Sequence, residues 1–522
     1  MKLKEFISNM IEKVRKSGER FIITLYFSLT LSIFASYLII KEDGSEEGAY
    51  IWISLLAGTL ISLRGKLADE NMKKLSNLTN LVISSLMTVC VYILMRFFHD
   101  SEYCIMAVAG IFLLTLCFIM YCLYRGHDER KLFPHLVRYA CFSGIITNVL
   151  LSGIVVSLMA FNYLIVDVEQ YLEKIVPVLM VFIEFFMCYM LFISYLPEKD
   201  TEIKDSKAYN IIVSKAGLYV YLLLIAILYI YILKIIVTWT MPVGKLNWFG
   251  CIALLFYVFF YLNTDAETGK IQRWFVKDGG FLLLPIVGVQ LLAIYIRVHA
   301  YGLTPLRYMS LLLIGIALLF VANSIIKKKI SWVFAGAALI VVIGLISPLN
   351  IIDVPNFSQE TRLKNVFRAN GMLEGDEIID YGKTVSQEDA DRIVSGLDYF
   401  RYADGKLDTF IENIKKLDRS VYTGEYNPFN DYEYFSYCRI NDTVEIEGFR
   451  TIQMISSTMS DDEMKQYQNY FESLKGLNAD LDNETMTYDV DENTRVVFNT
   501  IYLTYRNNEL ESAYVEYYLL RR

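Results

Sequence analysis

From Phe21 to Leu349 the chain returns repeatedly to long runs that carry no charge. A run of about twenty apolar residues matches the hydrocarbon thickness of a bilayer. Backbone in lipid must satisfy its own hydrogen bonds, so such runs build spanning helices. Eleven spans are expected: Phe21–Ile40, Ala49–Leu63, Leu78–Phe98, Cys104–Tyr124, Tyr139–Ile165, Ile175–Tyr195, Ile211–Trp239, Leu246–Leu262, Gly280–Ile296, Tyr308–Ile326 and Ser331–Leu349. From Asp353 onward the composition turns polar and aromatic. The fold class is mainly α, a polytopic transmembrane helix bundle with a C-terminal α+β soluble domain. This excludes a soluble enzyme, a disordered chain and a nucleic-acid binder. The first span is too long for a signal-peptide core and lacks a small-residue cleavage pattern, so it reads as a retained anchor.

Charge divides the chain further. Residues 1–349 hold 31 Lys and Arg against 24 Asp and Glu, while residues 350–522 hold 18 against 33. A tail that acidic is repelled by phosphate backbones and anionic lipid surfaces, and is open to cations or a basic protein partner. Between spans, one set of alternate segments carries 23 Lys and Arg and the other only six. Cytoplasmic loops hold the excess of positive charge. The expected order is therefore a cytoplasmic segment 1–20, a transmembrane domain 21–349 and an extracytoplasmic domain 350–522.

Seven of the eight cysteines lie in or beside the spans, and Cys438 alone is in the tail, so the tail closes no internal disulfide. None of the four histidines (His99, His127, His135 and His299) is in the tail, which excludes a histidine base or ligand there. There is no phosphate-binding glycine loop, metalloprotease helix, paired CxxC or nucleophile elbow. Asp489-Val490-Asp491-Glu492-Asn493 has the look of a calcium loop. It fails at Thr494 and Thr500, where glycine and glutamate are needed, and reads as a polar turn. No catalytic residue, metal or cofactor is expected.

A few spans carry polar groups. The fifth has Ser143, Gly144, Thr147, Asn148, Ser152, Gly153 and Ser157. Small faces of this kind let helices approach closely, and the same face also suits the wall of a pathway. Glu184 lies near the middle of the sixth span, where a carboxylate is costly unless neutral or paired. In the seventh span Lys215 can snorkel to the inner boundary, while Lys234 either snorkels outward or reaches Glu184 across antiparallel helices. Glu184 and Lys234 form the candidate intramembrane polar site. The loop Arg297–Arg307 puts two arginines on the side otherwise poor in them. Arg297, His299, Tyr301 and Arg307 form a candidate outer site for an anion or lipid headgroup, or a surface that pairs with the acidic tail. Gly302 and Pro305 suit a turn followed by a helix start.

In the tail, helical spacing covers Gln359–Met372, Ser386–Phe400, Lys406–Leu417 and Asp461–Leu474, the last preceded by a capping-box pattern at Ser460. Alternation marks Thr443–Ile446 and Val496–Tyr505, and Arg506–Glu509 turns the chain into Ala513–Leu520 as a hairpin.

The stretch Leu228–Pro242, with Arg273-Trp274-Phe275 and the loop from Arg297 to Arg307, resembles a bacterial multi-pass integral membrane family known as domain of unknown function 4153. The close match runs over about Gly217–Lys329. The resemblance implies a membrane protein in a bacterial plasma membrane, and supplies no activity, cofactor or catalytic residue. Three function classes are compatible with the sequence. One is transport or handling of lipid or envelope precursors, with an anionic lipid or small molecule as ligand. Another is a membrane-anchored sensor or scaffold whose tail binds a protein partner. The third is a membrane-embedded transferase, for which no acidic pair stands in an outer loop. Many spans favour the first, since one would anchor a tail.

Overall fold

The computed structural model of the chain describes residues 2–42, 44–72, 76–127, 129–166, 168–199, 201–203, 205–238, 245–327, 329–375, 377–378, 385–401, 410–411, 432–439, 449, 451–474, 480–491, 493–506 and 509–522. They fall into two compact units, residues 1–365 with 399–411, and residues 366–398 with 412–522.

The first unit is helical. It opens with α1 (Lys2–Arg20) and continues with α2 (Ile22–Lys41), α3 (Glu46–Met72), α4 (Asn77–Phe98), α5 (Glu102–Gly126), α6 (Glu129–Leu164), α7 (Glu169–Ile193) and α8 (Lys207–Thr238). Then follow α9 (Lys245–Asn263), α10 (Lys270–Tyr301), α11 (Pro305–Ile326), α12 (Ser331–Leu345) and the start of α13 (Asp353–Ala369). Among the described residues nine of these, α2 to α8, α10 and α11, are long and apolar enough to cross a membrane. Each of the eleven expected spans lies on a helix. The two that fall short are Asn247–Asn263 and Ser331–Leu345; at 1.5 Å per residue they extend only about 26 and 23 Å.

Residues such as Val82, Leu86 and Val89 on α4, Ile145, Val149 and Val156 on α6, and Val220, Leu223, Ile227 and Ile230 on α8 stand exposed. A helix that is apolar on its outer face needs lipid there, because water would make that exposure costly. Local signals start the helices. The Ser76 hydroxyl accepts from the Thr79 amide at 3.1 Å to cap α4, and Pro305 opens α11 behind the turn at Gly302, whose φ is +72°.

Close helix contacts occur where the sequence did not place them. A Cβ on Gly58 of α3 would lie 2.3 Å from Thr88 and 2.7 Å from Phe27. One on Gly65 would lie 1.9 Å from the Asn80 side-chain oxygen, whose amide donates to the Ser62 carbonyl at 3.0 Å. By contrast Gly144 and Gly153 face open space. The hydroxyls of Ser152 and Ser157 fold back onto the carbonyls of Asn148 and Gly153, both at 2.7 Å. Among the described residues the Gly153–Ser157 face therefore packs no helix: its hydroxyls are satisfied by their own backbone.

α7 and α8 each widen into a π-helical stretch, Ile183–Cys188 and Asn210–Gly217. Such widening loosens the regular backbone ladder, and side chains pick up the carbonyls. Ser28 donates to the Phe185 carbonyl at 2.6 Å, and Gln272 donates to the Ser214 carbonyl at 3.1 Å.

The second unit is α+β. Its sheet runs β4 (Thr451–Thr458), β8 (Glu509–Arg521), β7 (Thr494–Arg506), β3 (Tyr432–Arg439), β5 (Asp480–Leu481), with β6 (Thr487–Asp491) also on β7. A separate pair joins β1 (Leu373–Glu374) to β2 (Glu377–Ile378). The expected C-terminal hairpin is β7–β8, with Ile501 opposite Val515. Helix α14 (Gln387–Arg401) straddles the division between units, and α15 (Asp461–Leu474) belongs to this one. α15 packs Phe471 and Tyr467 into the core with Phe498, Ile501 and Val515. The expectations for Thr443–Ile446, and for most of Lys406–Leu417, lie outside the described residues. The Asp489 segment is the β6–β7 turn. Arg495 donates to the Asp489 carboxylate at 2.5 and 3.1 Å and holds it below the usual carboxylate pKa range, while Asp491 accepts from the Asn493 amide at 2.7 Å.

Candidate functional site

The N-terminal helix α1 is strongly two-faced in sequence, with Phe6, Ile7, Met10 and Val14 at helical spacing among lysines and glutamates. It packs against α2 and the end of α7, and a cavity of about 560 Å³ is lined by α1, by Arg138, Tyr139 and Phe142 of α6 and by Tyr195.

One wall of that cavity is aromatic. Tyr139 and Tyr195 stack in parallel with centroids 4.0 Å apart, and Phe142 meets Tyr195 edge-on at 5.6 Å. The lip is cationic. Lys13 Nζ lies 4.4 Å from the Tyr195 ring centre, and the Arg138 guanidinium lies 4.6 Å from that of Tyr139. Ring faces attract cations and hold them without neutralising them. Burial, with the nearby Arg138, pushes the Lys13 pKa down. Lys16 pairs with Glu12 at 2.9 Å on the same helix. Behind the rings, His135 Nε2 is 2.8 Å from the Tyr195 carbonyl. That contact makes Nε2 the donor of the neutral ring and leaves Nδ1 facing Arg138 Nη2 at 3.4 Å.

A second cavity of about 320 Å³ shares Lys13, Lys16 and Tyr195 with the first. Its lining adds Ser17, Ser194, Glu198, Thr201 and Glu202. Its floor is fixed by Arg20, which grips Glu70 through two 2.8 Å hydrogen bonds and donates to the carbonyls of Leu196 at 2.7 Å and Pro197 at 3.0 Å. A forked guanidinium of this kind ties three chain segments into one geometry.

The residues expected from sequence lie elsewhere. Glu184 is half-buried on the π-helical stretch of α7, which packs against α2 and α6. Lys234 is exposed near the end of α8, which packs against α9 and α10. The two side chains form no ion pair, because the sixth and seventh spans are not packed side by side. At the loop, Arg297 lies near the end of α10 and Arg307 in the first turn of α11. Arg307 donates to the Gly302 carbonyl at 2.6 Å. His299 stacks near Tyr295 with ring centres 6.4 Å apart, and Tyr301 is exposed. The loop backbone is held by α13. Gln359 donates to the carbonyls of Tyr301 at 2.8 Å and Leu303 at 3.0 Å, Ser358 accepts from the Leu303 amide at 3.2 Å, and Arg362 donates to the Ala300 carbonyl at 3.2 Å. None of these α13 partners is one of the tail's acidic residues.

The loop stands at the opposite end of the helices from the cavities. Arg130 at the start of α6 lies over Tyr261, whose hydroxyl accepts from Asn323 near the end of α11. Eighteen residues separate Asn323 from Pro305, or about 27 Å of helix. Among the described residues no group of His, Cys, Asp and Glu is arranged to hold a metal.

Outward-facing apolar helices of membrane length define a multi-pass integral membrane protein. Residues 21–395 match the family described as Domain of unknown function (DUF4153), and the chain belongs to that family. No curated protein and no solved structure matches it.

Proposed function

We propose that this protein handles an anionic amphiphile at the membrane boundary, in transport or in the handling of lipid or envelope precursors. The reading rests on the cavity under α1, where a tyrosine and phenylalanine wall meets Lys13, Lys16 and Arg138. An apolar wall suits a chain, and a cationic lip suits a charged head. The excess of Lys and Arg on this side supports a cytoplasmic N-terminus. Arg297 and Arg307 at the far end offer the same ligand a second cationic station. The test is to extract the purified protein with organic solvent and compare the released lipids with those of the surrounding membrane. Enrichment of one anionic amphiphile is expected, and a composition equal to the bulk membrane refutes the proposal.

A second reading, a membrane-anchored scaffold, has one observation in its favour. Strand β4 is the edge of its sheet among the described residues and exposes Ile452 and Met454. An apolar edge accepts an added strand from a partner. On that reading Ile452→Lys abolishes function in cells while lipid retention is unchanged.

A further inference from the structure

We infer that the two cavities under α1 recognise a phosphate ester that carries a hydroxylated headgroup. The inference rests on the amphiphile reading and names the chemistry of its polar end.

The cations point to a phosphate. Lys13 and Lys16 line both cavities, and Arg138 stands at the lip of the first. Three other cations of this unit have an acid of their own: Arg20 has Glu70, Lys131 has Asp205 and Lys174 has Glu42. Lys13 has no carboxylate partner among the described residues. Its contacts are the two tyrosine rings, at 4.4 and 6.0 Å. It is therefore a charge held in place and left for a ligand. Arg138 adds a planar fork that suits a phosphate's paired oxygens, and His135 positions it. The lining of the first cavity is three cations against Glu12, a net of two positive charges that matches a phosphate better than a single carboxylate.

The second cavity specifies what hangs from the phosphate. Glu198, Glu202, Thr201 and Ser194 line it. Its cations are Lys13 and Lys16, shared with the first cavity, and Arg20, already held by Glu70, so Glu198 and Glu202 are free to accept from the hydroxyl donors of a polyol head. The hydrocarbon end then lies along Phe142 and Met10 in the first cavity.

The full-length protein in detergent is melted with four probes: short-chain phosphatidylglycerol, short-chain diacylglycerol, glycerol 3-phosphate and inorganic phosphate. Phosphatidylglycerol is expected to raise the melting temperature. Lys13→Gln and Arg138→Gln should each raise its half-saturating concentration about tenfold, the loss of one charge-assisted hydrogen bond. Lys13→Arg should restore it, which separates lost charge from lost folding. If diacylglycerol protects as well as phosphatidylglycerol, or if the Gln variants bind unchanged, phosphate recognition is refuted, and the charged head of the amphiphile reading falls with it while its apolar chain stands. If glycerol 3-phosphate alone protects as well, through the same residues, phosphate recognition is supported and the amphiphile reading falls. Protection by inorganic phosphate equal to that by glycerol 3-phosphate refutes the part played by the hydroxylated head.

Discussion

Gln359 is the residue whose removal most directly tests how the loop Arg297–Arg307 is held. Its side chain is 1% exposed, and its amide nitrogen donates to two consecutive turns of the loop backbone, the carbonyls of Tyr301 and Leu303. Its oxygen is buried without a partner among the described residues. Gln359→Ala removes two hydrogen bonds and strands two carbonyls. At 1–3 kcal/mol for each stranded group, less the relief of the unpartnered oxygen, the loss is about 3 kcal/mol. That energy falls on local opening of the loop, so amide exchange reads it better than a melting curve. The Leu303 amide, which donates to Ser358, should exchange roughly a hundredfold faster. Gly302 supplies the second arm of a cycle. Its φ of +72° with ψ of 171° lies in a region that is nearly glycine-only and costs a residue with a Cβ about 1–3 kcal/mol. A Cβ there would also lie 2.6 Å from Gln359. The clash disappears when Gln359 is already alanine, and the backbone strain does not. Gly302→Ala should therefore cost less in the Gln359→Ala background than alone. Exchange within threefold of the parent, or strictly additive effects in the cycle, refutes the interlock.

Glu184→Gln and Lys234→Met should have additive effects on melting in detergent, because the structure leaves the two charges unpaired; recovery in the double variant would show that they meet. Gly65→Val should destabilise the helical unit by about 3 kcal/mol through overpacking against Asn80, and Gly153→Val, with open space before it, should melt within a degree or two of the parent. Cys438, exposed on β3, should label with a membrane-impermeant maleimide in intact cells when the other cysteines are serine, if residues 350–522 lie outside the cytoplasm; labelling that needs permeabilised cells overturns that orientation. As pH falls, Asp489 should lose its ion pair with Arg495. Its pKa is depressed in the folded state, so its stabilising effect is present above the unfolded carboxylate pKa and disappears as pH drops through the folded one. Asp489→Asn should flatten that acid limb.

The helices were legible because a lipid solvent leaves so little choice. An uncharged run of sufficient length is a helix whatever its neighbours, and each of the eleven runs lies on one. The C-terminal hairpin was legible for a similar local reason, alternation on either side of a polar turn. Strand β4 was missed because it is an exposed edge, so Thr451–Thr458 carries no burial pattern to read. Helix adjacency was not legible at all. Glu184 and Lys234 were joined on the assumption that consecutive spans pack together, but α7 turns to α2 and α6 while α8 turns to α9 and α10. Nor does a small-residue face say whether a neighbour exists to use it. Gly153 has none among the described residues, while Gly58 and Gly65, isolated in sequence, meet Phe27 and Asn80.

The boundary pocket was hidden for a different reason: its residues had already been given another explanation. Lys13, Lys16, Arg20 and Arg138 are four of the 23 charges that orient the chain, and a statistical bias toward one side of a membrane needs no geometry to account for it. Orientation, however, asks only that a charge remain on its side. It does not ask that Lys13 lie over Tyr195, that Arg138 lie over Tyr139 with His135 behind it, or that Arg20 be gripped by Glu70 and two backbone carbonyls. Holding long cationic side chains in such contacts opposes their conformational entropy. Charges serving topology alone would be expected to stay solvated and mobile. The sequence signal that distinguishes the two cases is the aromatic residue beside the cation, as in Arg138-Tyr139, and its partner Tyr195 at the far end of another span. Only the folding of α6 against α7 brings those two rings to 4.0 Å, so only the folded chain shows these cations gathered on one aromatic wall.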